Sequence, residues 1–217
     1  MQIFELRTLK KWEKIEEICE AAIQNAKNDH ISKFYLAEAL SMLKKPKSSE
    51  KTIQHILSLE DENELSILVA KGLANIFNDN IEKGIEYFHK SEDSSIALNQ
   101  LGELYYHGKK CEKNVNKGIQ YFKRASKKGN PTARYNMGLY SLQSGDEKRA
   151  FFYFKESAFN GLSRGMFQLA RCYSKGIGGP QNDEKSEYWL SKAAEAGLKE
   201  AIESQKKCKF VETEEEK

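Results

Sequence analysis

The chain has 217 residues, 39% of them hydrophobic, 11% aromatic and 31% charged, a composition that supports a packed core and excludes a wholly disordered chain. Basic residues (35) and acidic residues (32) nearly cancel, leaving a net charge of +3, too little for a nucleic-acid binder that works through a broad basic field. No run approaches the roughly 18 apolar residues of a membrane span, and the opening MQIFELRTLKKWEKIEE lacks the apolar stretch of a secretory signal.

In chain order, Trp12, Ile15, Cys19, Ala22, Ile23 and Ala26 recur at three-and-four spacing. That periodicity predicts an amphipathic helix, which is expected to cap the chain over residues 1–30. Five helix pairs follow, at about 31–61, 65–92, 95–129, 131–161 and 163–197, of which the first two, over 31–94, are the more divergent. The stretch 199–210 begins like another first helix and is expected to cap the last pair, and VETEEEK over 211–217 is an acidic tail. Only Pro46, Pro131 and Pro180 interrupt the chain, each between apolar-periodic segments. Because proline disrupts helix interiors, so few of them permit long helices. β-Branched alternation is nearly absent, so the predicted fold is all-α.

Internal repetition sets the expected architecture. The segments KTIQHI (51–56), KGIEYF (83–88), KGIQYF (117–122), RAFFYF (149–154) and KSEYWL (185–190) place His55, Tyr87, Tyr121, Tyr153 and Trp189 at the fifth position, spaced by 32, 34, 32 and 36 residues. These fifth residues are expected to anchor the core. Gly129, Gly161 and Gly197 follow the last three anchors by eight residues, where a helix end favours a left-handed residue without Cβ. Upstream lie LAEAL, LANIF, LGELY, MGLYS and LARCY, each with a first-helix signature. Ala74, Gly102, Gly138 and Ala170 are expected to be notches there, and Gly84, Gly118, Ala150 and Ser186 matching notches on the second helices. A glycine inside a helix costs about 0.5–1 kcal/mol relative to alanine, so its recurrence in register calls for close helix packing. One pair cannot bury its apolar face alone, so the pairs are expected to stack.

LGELYYHG with KGIQYFKRASKKG, and LARCYSKGIGG with KSEYWLSKAAEAG, resemble the Sel-1-like repeat, a relative of the tetratricopeptide repeat. The resemblance is fullest over 95–198, as three repeats, and weaker over 31–94. In the second of these three repeats Tyr140 comes one place early, with Ser141 in its stead, and NDNIEKG shortens the loop of an earlier unit. The resemblance implies a right-handed α-solenoid of stacked antiparallel helix pairs. It also implies a non-enzymatic adaptor or scaffold that binds another protein on its concave face, without catalytic residues, cofactor or metal.

Chemistry-bearing motifs are sparse. Cys19, Cys111, Cys172 and Cys208 form no CxxC pair and lie at no metal-ligand spacing from a histidine. Free, reduced thiols in a cytoplasmic protein are therefore expected. His55 stands at a core position, and His107 precedes Gly108 in a predicted loop with no nucleophile beside it. Gly176-Ile177-Gly178-Gly179-Pro180 lacks the Lys and Ser/Thr of a phosphate loop and reads as an interhelical turn. Glu16/Glu17 and Asp183/Glu184 read as solvated faces, the latter beside a helix N-terminus. KKPKSSEK, KRASKKG and KKCK are dispersed and offset by acids, so neither nucleic acid nor a membrane is an expected partner.

What remains is the polar stripe of the first helices. If residues 97, 98, 101, 104 and 105 face inward, then Asn99, Gln100, Glu103 and Tyr106 face outward. The equivalent stripes are Tyr135, Asn136, Leu139 and Leu142 in one unit and Phe167, Gln168, Arg171 and Ser174 in the next. First helices of the resembled family line the concave face, which implies Tyr106, Tyr135, Asn136, Leu139, Phe167, Gln168 and Arg171 as contact residues. Aromatics and arginine are the usual interface anchors. Tyr135 and Phe167 equally fit packing against the neighbouring unit. A narrower possibility is a bacterial immunity or regulatory protein that neutralises a toxin or effector enzyme by direct binding.

Overall fold

A computed structural model of the chain describes residues 12–25, 30–43, 45–59, 64–108 and 111–206. The expected helix start before Trp12, Ala26, residues 207–210 of the expected cap and the acidic tail 211–217 lie outside the described residues. The chain forms two compact units, residues 1–128 and 129–217. The first contains α1 (Trp12–Asn25), α2 (His30–Met42), α3 (Pro46–Leu57), α4 (Leu65–Phe77), α5 (Ile81–Lys90), α6 (Ser95–His107) and α7 (Val115–Lys127). The second contains α8 (Pro131–Gln143), α9 (Glu147–Phe159), α10 (Ser163–Lys175) and α11 (Asp183–Glu195), followed by helical residues 199–206. No strand occurs among the described residues.

Local chemistry sets the helix ends. Pro46 and Pro131 stand in the first turn of α3 and α8, where the missing N–H costs nothing. Asn114, Asn130, Asp146 and Asn182 cap α7, α8, α9 and α11 by accepting the backbone N–H three residues on, at 2.9, 2.9, 3.1 and 2.7 Å. Gly129, Gly161 and Gly197 adopt φ of 85°, 85° and 92° just past their helices, the left-handed stop their spacing predicts.

Consecutive helices pair as α2/α3, α4/α5 and α6/α7 in the first unit and as α8/α9 and α10/α11 in the second, with α1 packed on α2. Within the first unit α2 also touches α4, and α4 touches α6. In the second unit α8 touches α10. First helices therefore neighbour first helices inside each unit.

In the first four hexapeptides the core anchor is the sixth residue, not the fifth, whereas in the last Trp189 and Leu190 are both half-buried and Trp189 packs on the core. Ile56, Phe88 and Phe154 are fully buried and Phe122 nearly so, whereas His55 is exposed and Tyr87, Tyr153 and Trp189 are half-buried. Only Tyr121 among the fifth residues is buried. Successive helical residues diverge by about 100°, so only one of the adjacent aromatics can point straight at the partner helix. That ring lies in a notch one helix away. A Cβ on Gly72 would come 2.5 Å from the Phe88 ring, one on Gly102 2.5 Å from Phe122, and one on Gly138 2.6 Å from Phe154. In α4 the notch is thus Gly72, two residues before the expected Ala74, although Ala74 is itself buried. The reciprocal notches hold: a Cβ on Gly84 would meet Ile76, and one on Gly118 would meet Tyr106.

In the second unit Phe154, Ala150, Ala158, Leu169 and Cys172 form one buried cluster, with Tyr135, Phe151, Ile177 and Trp189 packed on it. Gly178, at φ 72°, brings the α10–α11 loop onto the start of α9, where a Cβ would run into the Glu147 carbonyl. Gly165 sits against Ser157, whose hydroxyl donates to the Pro131 carbonyl at 2.9 Å. Small residues therefore bring consecutive hairpins together as well as the two helices of each hairpin. Cys111 and Cys172 carry free thiols, and burial pushes that of Cys172 up to about 11.

Candidate interaction surface

Six of the seven expected contact residues lie on two neighbouring helices of the second unit. Tyr135, Asn136 and Leu139 on α8 stand in the same register as Phe167, Gln168 and Arg171 on α10. Leu139 and Arg171 are exposed, while the amides Asn136 and Gln168 are half-buried. Arg171 donates from Nη1 to the Gln168 Oε1 at 3.1 Å, which holds the guanidinium along the helix face. Tyr135 is turned further inward: its ring lies 6.1 Å from Phe154, and the Arg164 guanidinium covers it at 5.2 Å. Arg164 was not singled out by spacing, because its side chain crosses from α10 back to α8, and sequence periodicity carries no inter-helix distance.

The corresponding position in α6 corrects the expected stripe. Asn99 is fully buried rather than outward-facing, and its amide donates to Glu103 at 2.9 Å. Val69, which the Gly72 register places at this position in α4, is fully buried as well. At the same position Tyr135 and Phe167 are half-buried. Tyr106, in the first unit, packs inside its own hairpin, over Gly118 and 5.8 Å from the Phe122 ring.

A second polar group in the first unit escaped the sequence reading. Glu92, in the turn after α5, pairs with Arg124 at 2.6 Å and His89 at 2.8 Å and accepts the Tyr121 hydroxyl at 3.3 Å. Burial raises the Glu92 pKa, but hydrogen bonds from His89 and Arg124 outweigh it and hold the carboxyl below its ordinary range. Burial, followed by the Glu92 charge, pushes Tyr121 up to about 12. Tyr121 stacks on Tyr105 at 5.8 Å, and Lys117 lies 3.8 Å from the centre of the Tyr105 ring. The same pair recurs as Lys185 over Tyr173, at 5.6 Å. These contacts tie α5, α6 and α7 together and read as structural. Among the described residues no group of three or more His, Cys, Asp or Glu is placed to hold a metal, and no helix is long and apolar enough to cross a membrane.

Helical hairpins repeated in register, each built on a ring in a notch, with polar first-helix faces, define an α-helical repeat protein. The Sel1 repeat pattern matches four times, at residues 62–94, 95–130, 131–161 and 163–198; the chain belongs to the Sel1 repeat family. The second helix pair, 62–94, is thus a Sel1 repeat despite its divergent first helix. The chain is 33% identical over 101 residues to an F-box protein of Arabidopsis thaliana, and 30% over 80 residues to a sel1-like repeat-containing protein of Acanthamoeba polyphaga mimivirus. These matches cover 45% and 37% of this chain but only 28% and 15% of those proteins. Among solved structures, the chain is similar to a Sel1 repeat protein from Oxalobacter formigenes at TM-score 0.63 and 20% identity, covering 86% of this chain and 85% of that one. It is also similar to the protective antigen c5321 of uropathogenic Escherichia coli at TM-score 0.62 and 19% identity, covering 88% and 47%. At such identities the likeness establishes the fold.

Proposed function

We propose that the chain is a protein-binding module, with no reaction of its own, whose partner docks on the first-helix face of the second unit. Sel1 repeats generally mediate protein–protein interaction. The observation that carries the site is the pair Leu139 and Arg171, exposed at equivalent positions of touching helices with Asn136 and Gln168 beside them. This combination provides an apolar contact, a charged fork and two amides able to bond a partner's backbone. The face is set by packed helices, so little ordering entropy opposes docking. Tyr135 and Phe167, half-buried on the same two helices, flank it.

The test is affinity capture from lysate with the full chain and with Leu139→Asp/Arg171→Glu. Both substitutions sit on exposed positions, so the helical content is expected to stay unchanged. A partner recovered by the wild type and lost by the variant supports the assignment. Equal recovery by both overturns it. A captured toxin or effector enzyme that loses activity on binding would make the chain its inhibitor.

A further inference from the structure

The opposite side of the second unit carries a feature that its own hairpins do not need. The fourth residue of the hexapeptide is exposed in all five units, and it is Gln54, Glu86 and Gln120 in the first three but Phe152 and Tyr188 in the last two. Seven residues on, the exposed residues Asp93, Lys127 and Glu195 of other units correspond to Phe159 in α9. Phe152, Phe159 and Tyr188 are 56%, 65% and 55% exposed. The repeat forms the same hairpin with polar residues at these places, so the rings do not serve the fold. Exposed large aromatics grouped on one face mark an interaction surface.

The rings are arranged as a patch. Phe159 lies edge-on to Trp189 at 5.2 Å, and Trp189 contacts Tyr188 at 5.3 Å. Lys148, Phe152, Lys155 and Phe159 follow one another along the outward stripe of α9 at spacings of four, three and four residues, all exposed. Neither Lys148 nor Lys155 has an ion-pair partner among the described residues, while neighbouring Arg149 and Glu156 are paired with Asp146 and Arg134. Lys155 instead leans over the Phe159 ring at 5.9 Å. The stripe therefore alternates unneutralised cations with bare rings. In α11 the same places hold Glu184, Tyr188, Ser191 and Glu195, so the cationic stripe is that of α9 alone. Its complement is a helix that carries carboxylates and apolar side chains along one face.

We propose that the outward face of α9 docks an acidic amphipathic helix of another protein, its apolar side chains seated on Phe152 and Phe159, with Tyr188 at the edge, and its carboxylates on Lys148 and Lys155. Phe152 and Phe159 stand about 10 Å apart along the helix, which matches side chains seven apart on a partner helix. This surface is separate from the first-helix face and stands or falls independently of it.

The experiment titrates the full chain with a synthetic helical peptide that carries leucine and phenylalanine seven residues apart on one face among glutamates, and with its lysine-for-glutamate counterpart. The glutamate peptide is expected to bind, more weakly as salt rises, and the lysine peptide is not. Phe152→Gln/Phe159→Lys installs the residues that α7 carries at the same places, so the fold is expected to be kept. Although it adds positive charge, it is expected to weaken binding at least about tenfold. Lys148→Gln/Lys155→Gln is expected to weaken binding and flatten its salt dependence. Leu139→Asp/Arg171→Glu is expected to leave it unchanged, which separates this surface from the one under Proposed function. Failure of the glutamate peptide to bind, equal binding of the lysine peptide, or an unchanged affinity in Phe152→Gln/Phe159→Lys overturns the proposal. A chain ending at Lys206 that binds the peptide at least tenfold more tightly would assign the surface to this chain's own Phe210–Glu216. A dimer lost in Phe152→Gln/Phe159→Lys would assign it to a second copy. Either result also overturns the proposal.

Discussion

Replacing Gly138 by alanine tests the packing logic directly. In a solvent-facing helix the change stabilises by about 0.5–1 kcal/mol. Here the new Cβ would lie 2.6 and 2.7 Å from Cε1 and Cδ1 of Phe154 and 3.1 Å from Cζ. The ring has nowhere to go, because Phe154 is fully buried among Ala150, Ala158, Leu169 and Cys172. Overpacking of this kind costs about 1–3 kcal/mol, so Gly138→Ala is expected to destabilise by about 1–2 kcal/mol net. The last repeat supplies the compensating change: Ala170 stands where α8 has Gly138, and Leu190 where α9 has Phe154. Phe154→Leu alone is expected to cost about 1–2 kcal/mol through lost burial and a small cavity. The double variant is expected to cost less than the sum by about 1 kcal/mol or more, a coupling typical of residues in contact. Urea titration followed by far-ultraviolet circular dichroism measures all four corners of the cycle. A stabilised Gly138→Ala, or strict additivity, would refute the ring-in-notch account.

Three further outcomes follow from the same geometry. Gly161→Ala, at φ 85° with nothing within 4 Å of the new Cβ, is expected to cost about 1 kcal/mol, whereas Gly178→Ala adds a collision with the Glu147 carbonyl and is expected to cost about 2–4 kcal/mol, both read by urea titration. The Glu92 carboxyl is held below its ordinary value of 4.5, so its contribution is present above that pH and is lost as the pH falls through the lower folded value. Glu92→Gln is therefore expected to lower stability at neutral pH and to flatten the acid limb of the pH–stability curve. Tyr121 is raised from 10 to about 12, so its contribution is intact below pH 10 and declines as the pH rises towards 12, by about 2–3 kcal/mol. The difference between the wild type and Tyr121→Phe across that range is expected to show it.

The sequence by itself determined the all-α class, the helix pairs and their boundaries, because these rest on local rules: the three-and-four apolar spacing, Pro46 and Pro131 in first turns, and Gly129, Gly161 and Gly197 past helix ends. It also determined the membership, through residues that recur in register. Only the tertiary structure decided which of two adjacent aromatics anchors each hairpin. Periodicity places Tyr121 and Phe122 within one turn of each other, and the choice between them depends on where the partner helix places its notch. For the same reason the notch of α4 lies at Gly72 and not at Ala74. The outward stripe was legible only in part. Leu139 and Arg171 are exposed as expected, but Asn99 is buried and Tyr106 is packed within its hairpin, because contact with a neighbouring helix, not position on one helix, decides what water reaches. The bare rings of Phe152, Phe159 and Tyr188 were hidden for the complementary reason: in one dimension an aromatic beside a core position looks like core, and only the direction of its side chain in space shows that nothing covers it.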